Sequence, residues 1–373
     1  MFLLLLSATF LLLYALLIFF YWNAWNKLDE YRVYSVDDHR FLSVIIPARN
    51  EEKNISSLLN AFSRQSYPKD FFEVIVVDDF STDRTAEIVQ ESTLPNMVLI
   101  QPGVSAELSS KKRSIEAGIK KAKGELIITT DADCMPSTLW LETVNHLYVT
   151  QHASFIAAPV KFSHDKSFLQ IFQALDFLTL QGITAASVSS KFHAMCNGAN
   201  LAYTKQAFIN VNGFEGIDKV ATGDDMLLMH KIWKQQPDKI FYLKNSDAIV
   251  TSQPMFSWKD FFMQRKRWAS KTLVYDDYKI IVVLAFVYLL NCLFVALVIA
   301  SLFNSLYWWY TLGFIATKTI IELPFVNSVA KFYNEKKLVK YLFIFQPIHI
   351  LYTVFVGLLS QFGKYEWKGR KTK

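Results

Sequence analysis

Residues 125–135 read ELIITTDADCM. Leu126 to Ile128 is a short apolar run of the kind that makes a buried parallel strand. It runs into Asp131-Ala132-Asp133, and in extended backbone residues two apart point to the same side. Both carboxylates therefore face one point in the crevice outside the strand's carboxyl end, where open α/β sheets bind ligands. Two hard anionic oxygens there suit Mg²⁺ or Mn²⁺, which take a few carboxylates and complete their shell with phosphate oxygens. The plainer reading is a polar turn after a strand, with Asp133 capping the next helix. A D-x-D alone does not choose between them.

Composition narrows the class. The chain has 373 residues, 52% hydrophobic and 15% aromatic, which is too apolar for an ordinary soluble domain and points to membrane segments. The net charge of +6 is spread along the chain, which fits a basic protein on a membrane surface and no nucleic-acid-binding module. Cys134, Cys196 and Cys292 have neither the number nor the spacing of a disulfide framework or a zinc site.

Residues 2–22 (FLLLLSATFLLLYALLIFFYW) carry no charge and end in an aromatic belt, Tyr21, Trp22 and Trp25. With no basic stretch before it and no small-residue cleavage site after it, this run reads as an uncleaved anchor over 1–26. From about Leu42 to Ile249 the pattern becomes α/β. Strands are expected at Ser43–Ile46, Val74–Val77, Met97–Ile100, Leu126–Thr129 and Phe155–Ala158, with helices at Lys53–Gln65, Thr82–Glu91 and Lys111–Lys123. That alternation predicts a mostly parallel sheet covered by helices. A membrane region of two or three helices follows over 280–363, then a basic tail, 364–373. Within it, 307–330 is apolar but holds Lys318, Glu322 and Pro324; the two charges are four apart, so a helix sets them side by side to pair inside a bundle. The Lys and Arg residues at both ends of the α/β segment place it in the cytosol. The side of the tail depends on whether 307–330 crosses, lies flat or re-enters; in the latter cases the basic loop Lys331 to Lys340 falls outside.

The polar motifs sit where such a sheet puts its ligand edge. The first strand runs into Pro47-Ala48-Arg49-Asn50-Glu51-Glu52; Asn50 or a neighbour can cap a helix, while Arg49 and Glu51 can touch a nucleotide. The second ends in Asp78-Asp79, a carboxylate pair able to accept a base N–H, followed by a helix entry at Ser81 to Asp83. Lys111, Lys112 and Arg113 form either a solvated face or a diphosphate contact. Asn197-Gly198-Ala199-Asn200 allows close backbone approach and an amide hydrogen bond to a hydroxylated ligand, or is a turn. In Thr222-Gly223-Asp224-Asp225, Asp225 opens an amphipathic helix, as its N-cap or as a general base. Gln264, Arg267 and Trp268 share one helix face, and Arg265 and Lys266 point elsewhere. An arginine suits a pyrophosphate and a tryptophan a sugar ring, although an interfacial helix explains the same residues.

In order, PARNEE at 47–52, VVDDFSTDRT at 76–85, DADC at 131–134, GAN at 198–200, GDD at 223–225 and QRKRW at 264–268 resemble the membrane-bound family-2 inverting glycosyltransferases. That family has a GT-A catalytic domain and includes cellulose, hyaluronan and poly-N-acetylglucosamine synthases and ceramide-glucosyltransferase-like enzymes. The resemblance covers about 41–275 and extends loosely to the closing YEWKGR. It implies an α/β, Rossmann-like GT-A domain over 41–275, flanked by transmembrane helices, with interfacial helices near 167–188 and 256–272. It implies Pro47, Arg49, Glu51, Asp78, Asp79, Lys111, Asp131, Ala132, Asp133 and Arg267 around the nucleotide sugar, with Asp131 and Asp133 on Mg²⁺ or Mn²⁺. Asp225 is then the catalytic base, with Asn200, Asp224, Gln264 and Trp268 on the acceptor side. The chain departs from the family pattern at Ser110, where a glycine is usual, and at Asp224, where a glutamate is usual.

The expectation is inverting transfer of a hexose or N-acetylhexosamine from a nucleotide diphosphate sugar, chiefly UDP-linked, to a lipid or lipid-linked acceptor. The setting is a bacterial inner membrane with the catalytic domain in the cytosol. The alternatives are the catalytic subunit of a polysaccharide synthase with an accessory membrane subunit, or a non-catalytic nucleotide-sugar binder. A dinucleotide oxidoreductase is disfavoured by the lack of G-x-G-x-x-G after the first strand.

Overall fold

The computed structural model describes residues 1–34, 38–101, 111–218, 223–360, 365–367 and 370–372. Ser110, Thr222, Lys364, Lys368 and Gly369, which figured in the motifs above, lie outside the described residues. The chain divides into two compact units. One comprises 29–161, 194–253 and 366–373; the other comprises 1–28, 162–193 and 254–365.

The first unit is built on a sheet of β1 (Leu42–Ala48), β2 (Phe72–Asp78), β3 (Met97–Ile100), β4 (Leu126–Thr129), β5 (Phe155–Ala157), β7 (Leu201–Thr204) and β8 (Ile240–Tyr242). Two further short strands, β6 (Val160–Phe162) and β9 (Val250–Ser252), lie outside this sheet. The seven strands run in the order β3-β2-β1-β4-β7-β5-β8. All pairings are parallel except those of β7, which runs against β4 and β5. The central strands are buried on both faces, which is why they read as continuous Val/Ile/Leu runs. Helices α2 (Ile55–Ser63), α3 (Thr85–Gln90), α4 (Lys111–Lys121) and α5 (Trp140–Gln151) fall between the strands.

Register decides where the polar motifs go. Ala48 pairs with Asp78, and Thr129 pairs with both Ile45 and Leu201. The carboxyl ends of β1, β2 and β4 therefore meet the amino end of the reversed strand β7 along one edge. Pro47 is compatible with a central strand for a specific reason. The Ala48 carbonyl faces β2, accepting from Asp79 N at 2.7 Å, while Ile45 O faces β4 and is the last there to accept, from Thr130 N at 3.4 Å. Pro47 thus turns its N–H-less nitrogen to the side from which β4 has already departed.

Two expected caps are corrected. Asn50 does not open α2; it sits at φ +51°, and the cap position belongs to Asn54. The Asn50 amide oxygen accepts from Thr82 N at 2.8 Å, so it ties the loop after β1 to the loop after β2. Asp133 does not cap α5 either, which begins only at Trp140 with Leu139 at its N-cap.

In the second unit lie α1 (Phe2–Lys27), α6 (Phe168–Ser189), α9 (Trp258–Ala269), α10 (Tyr278–Phe303), α11 (Leu306–Phe332) and α12 (Leu342–Ser360). The short α7 (Lys205–Asn210) and α8 (Met226–Gln235) belong to the α/β unit. Among the described residues five helices are long and apolar enough to cross a membrane: α1, α6, α10, α11, and α12 with the turn before it. The doubtful segment 307–330 is one unbroken helix, α11, despite Pro324. Its charges are paired as the four-residue spacing requires: Lys318 Nζ donates to Glu322 and, at 3.0 Å, to Gln346, while Tyr14 and Gln346 also donate to Glu322. Trp25 packs edge-on to Phe332 at 5.5 Å and Tyr14 meets Glu322, so α1 and α11 run the same way. The start of the basic loop Lys331 to Lys340 consequently lies at the end where the chain leaves α1.

Candidate active site

The carboxyl edge of the sheet gathers the chemistry. After β4, Cys134 N donates to Asp131 O at 3.1 Å, closing a tight turn that holds Asp131, Ala132 and Asp133. Thr130 anchors this turn, its buried hydroxyl donating to Ala199 O at 2.9 Å. The D-A-D turn and the GAN turn are therefore held at a fixed distance.

Lys111, the first residue of α4, reaches into this edge. Its Nζ lies 2.6 Å from Asp131 Oδ1 and 3.3 Å from Asp224 Oδ2. The three side chains are 19%, 38% and 10% exposed, so the cluster is recessed yet open to a ligand. Burial by itself would lower the Lys111 pKa; Asp131, then Asp224 and more weakly Asp225 outweigh it, and the ammonium is held above an ordinary lysine. Of the basic triplet, Lys111 thus faces the carboxylates. Lys112 is buried and donates to Ile217 O at 2.5 Å. Nothing in the sequence separated its role from that of a solvated lysine.

Asp225 is held by backbone at two points. Its Oδ1 accepts from Met226 N at 2.7 Å, as the cap of α8, and its Oδ2 accepts from Gly198 N at 3.1 Å. The cap reading is therefore correct and incomplete: one oxygen caps the helix and the other is bound to the GAN turn. Gly198 lets the turn come close to the cluster: a Cβ there would stand 3.2 Å from Lys111 Nζ and 3.4 Å from Asp224 Oδ2 and push the lysine tip slightly aside. Gly223 takes φ +83°, a left-handed conformation that lets the chain turn into Asp224 and Asp225.

The other expected contacts separate. Arg49 Nη1 donates to Asp79 O at 2.7 Å and to Phe80 O at 3.2 Å, clasping the loop after β2. Asp78 and Asp79 are both buried at the strand end; Asp78 accepts from Ser81 N at 3.3 Å. Glu51 accepts from the Asn54 amide at 2.7 Å, Pro47 lies near the carboxyl end of β1, and Ala132 is buried within the D-A-D turn. Asn200 has a different job from the acceptor contact expected of it. Its amide nitrogen donates to Pro159 O and Ala248 O, both at 2.8 Å, and its oxygen accepts from Trp140 Nε1 at 3.0 Å. It is a buried brace behind the edge, a role with no signal in a GAN triplet.

Whether the edge suits a divalent cation can be tested on its donors. Among the described residues no three His, Cys, Asp or Glu side chains form a complete cage. Asp131 and Asp133 suit the other kind of site, where two carboxylates leave the remaining positions to phosphate and water. The neighbouring Cys134 thiol is pushed up by burial, then by Asp133 and Asp131, so it stays protonated and the donor set stays hard.

Gln264, Arg267 and Trp268 belong to the other unit, on α9. There the expectation that Arg265 points away from them is overturned. Arg265 is buried, with its guanidinium carbon 4.1 Å from the Trp268 ring centroid.

The comparisons with known proteins bear on the family and the fold. Residues 39–271 match the family model described as glycosyltransferase like family 2. Glycosyltransferase AglE of Haloferax volcanii is 38% identical over 104 residues, covering 27% of this chain and 33% of the relative. The probable glycosyltransferase YdaM of Bacillus subtilis is 28% identical over 235 residues, 61% of this chain and 54% of the relative. The chain thus spans from a third to about half of the length of these two curated relatives. Among solved structures, the mannosyltransferase PcManGT of Pyrobaculum calidifontis, in complex with GDP-Man and Mn²⁺, superposes with a TM-score of 0.61 at 19% identity. The superposition covers 91% of this chain and 95% of that one, which shows a shared GT-A fold.

Proposed function

Since the chain belongs to the glycosyltransferase like family 2, we propose that it is an inverting transferase acting at a membrane. It moves a hexose or N-acetylhexosamine from a nucleotide diphosphate sugar, in the first instance UDP-linked, to a lipid or lipid-linked acceptor. The observation that carries this reading is the Asp225 carboxylate, oriented by two backbone N–H groups beside the Lys111–Asp131–Asp224 cluster.

A general base must hold one geometry while it takes a proton. Asp225 is held by Gly198 N and Met226 N, and these two contacts orient it at the carboxyl edge of the sheet. The acceptor hydroxyl gives its proton to Asp225. Its oxygen bonds to C1 of the sugar as the bond from C1 to the diphosphate oxygen breaks, and the electron pair leaves with the diphosphate. Lys111 supplies fixed positive charge to that leaving group. A Mg²⁺ or Mn²⁺ held by Asp131 and Asp133 would add neutralisation of the same charge. The roles implied by the motif are retained for α9: Arg267 toward the diphosphate, Gln264 and Trp268 toward the acceptor. Arg49, Glu51, Asp78 and Asp79 shape the nucleoside end.

Five helices long and apolar enough to cross a membrane support the lipid side of the reading. Cytosolic placement of the α/β unit in a bacterial inner membrane is part of the same proposal. The complex of the mannosyltransferase with GDP-Man and Mn²⁺ supports the classes of donor and cation, and makes GDP-mannose a necessary member of any donor panel.

The test is release of the nucleoside diphosphate by purified protein in nanodiscs across UDP- and GDP-sugars, with Mn²⁺ and with EDTA. One donor should be turned over in a metal-dependent way. Turnover should fall by about 10²–10⁴ in Asp225→Asn. An Asp225→Asn protein that keeps its turnover would remove the assignment.

A further inference from the structure

Arg265 stands inside the Q-x-x-R-W stretch but is not one of its named positions. It is 4% exposed, in a helix whose other buried residue is Phe261. Its Nη2 donates to Asp176 Oδ2 on α6 at 2.8 Å. Its guanidinium carbon lies 4.1 Å from the Trp268 centroid and 5.0 Å from that of Phe261. Its Nη1 donates to Gln264 Oε1 at 3.4 Å. Asp176 is fixed in turn: Tyr352 OH on α12 donates to its other oxygen at 2.9 Å, and His349 Nε2 lies 3.5 Å from that same oxygen. Phe177, next to Asp176, packs against Trp268 at 6.0 Å.

The arrangement exceeds what burying a charge requires. A hydrogen-bonded carboxylate would neutralise Arg265 in any orientation. Here one guanidinium nitrogen, Nη2, donates to Asp176 while the central carbon lies over the indole ring, an arrangement suited to arginine's broad planar group and not reproduced by a lysine's point charge. We propose that Arg265, held by Asp176, is a positioning residue for the acceptor side: it fixes the plane of Trp268 and the amide of Gln264. This rests on the reading of Gln264 and Trp268 as acceptor contacts. The tie from Asp176 to Tyr352 joins α6, α9 and α12, so the ring's plane is set by three helices.

The test uses the full-length protein in nanodiscs. Arg265→Lys keeps the charge for Asp176 and loses the planar stack; Asp176→Asn removes the carboxylate that aims the guanidinium. Transfer of radiolabelled sugar is followed against a dilution series of a chloroform–methanol extract of host membranes. Arg265→Lys should raise the extract concentration needed for half-maximal transfer by about tenfold. Donor hydrolysis without extract should stay within about twofold of wild type, a split that general misfolding does not produce. In a double-mutant cycle the effect of Arg265→Lys should vanish once Trp268 is phenylalanine. Additive effects overturn the proposal. If Trp268→Phe alone leaves the extract dependence unchanged, it is the acceptor reading of the motif that fails. A second measurement needs no substrate. In protein labelled with 5-fluorotryptophan, the ¹⁹F resonance absent from Trp268→Phe should shift in both Arg265→Lys and Asp176→Asn. A resonance that stays in place overturns the inference whatever the activity assay gives.

Discussion

Two lysine–carboxylate clusters, one in each compact unit, are nearly alike in composition and opposite in design. Around Lys318 every partner is internal: Glu322, Gln346 and Tyr14 close a ring of hydrogen bonds, and the lysine is fully buried. Around Lys111 the set is open: Asp131 keeps 38% of its side chain exposed, and Asp225 stands next to the pair, fixed by backbone. A closed ring in an apolar setting locks helices together, because any loosened member leaves an unpaired buried charge. An open set of charges on a rigid sheet edge stays accessible to a ligand's phosphates and hydroxyls, as the proposed function requires. Charge count alone does not distinguish a brace from a site; how far the charges stay open to solvent does.

The largest effect that sharpens this contrast is the loss of about 10²–10⁴ in turnover expected of Asp225→Asn, with the thermal unfolding midpoint little changed. The closed cluster should break the other way. Lys318→Met should lower stability by about 3–5 kcal/mol, through the stranded Glu322 carboxylate, and Lys318→Met combined with Glu322→Gln should recover most of it. Thermal unfolding in detergent reads both; a double variant no better than the single would show that the ring is not closed. Lys111→Met is expected to cost about 10–100-fold in turnover while sparing stability, as one fixed charge is removed from the leaving group's side. A large stability loss there would make the open cluster a second brace.

The smallest effect is a pH dependence. His146 on α5 is buried, interacting with Tyr31 OH at 2.7 Å and accepting from Tyr34 N at 3.2 Å. Burial lowers its pKa, only partly offset by Glu142. Because the folded value is depressed, its contribution is whole above the ordinary histidine pKa and is lost as pH falls through the folded value. The unfolding midpoint should drop slightly between pH 7 and pH 5, and less so in His146→Gln; equal drops would remove His146 as the cause.

Much of this was legible beforehand. The strand at 126–129 follows from its apolar run, and the sheet edge follows from strand–helix alternation; the D-A-D stretch, expected as extended backbone, lies instead in a turn closed by Cys134 N and Asp131 O. The pairing of Lys318 with Glu322 follows from their spacing. Asn200 was legible only as a small-residue turn, since its three partners, Pro159, Ala248 and Trp140, come from distant parts of the chain. Asn50 was misread because a local capping rule competes with a tie to Thr82 that no local rule contains.

What the sequence determined by itself is whatever depends on neighbours a few positions apart: strand and helix periodicity, the carboxylates of one turn, a charge pair on one helical face, the apolar length of a span. What the tertiary structure alone decided is which of several equivalent groups faces which partner. Lys111 meets the carboxylates while Lys112 holds a loop carbonyl. Arg265, set aside on helical spacing, is the arginine under Trp268. The physical reason is the same in both cases. Adjacent side chains on a helix point about 100° apart, so each meets a different surface, and only the packed fold specifies what that surface carries.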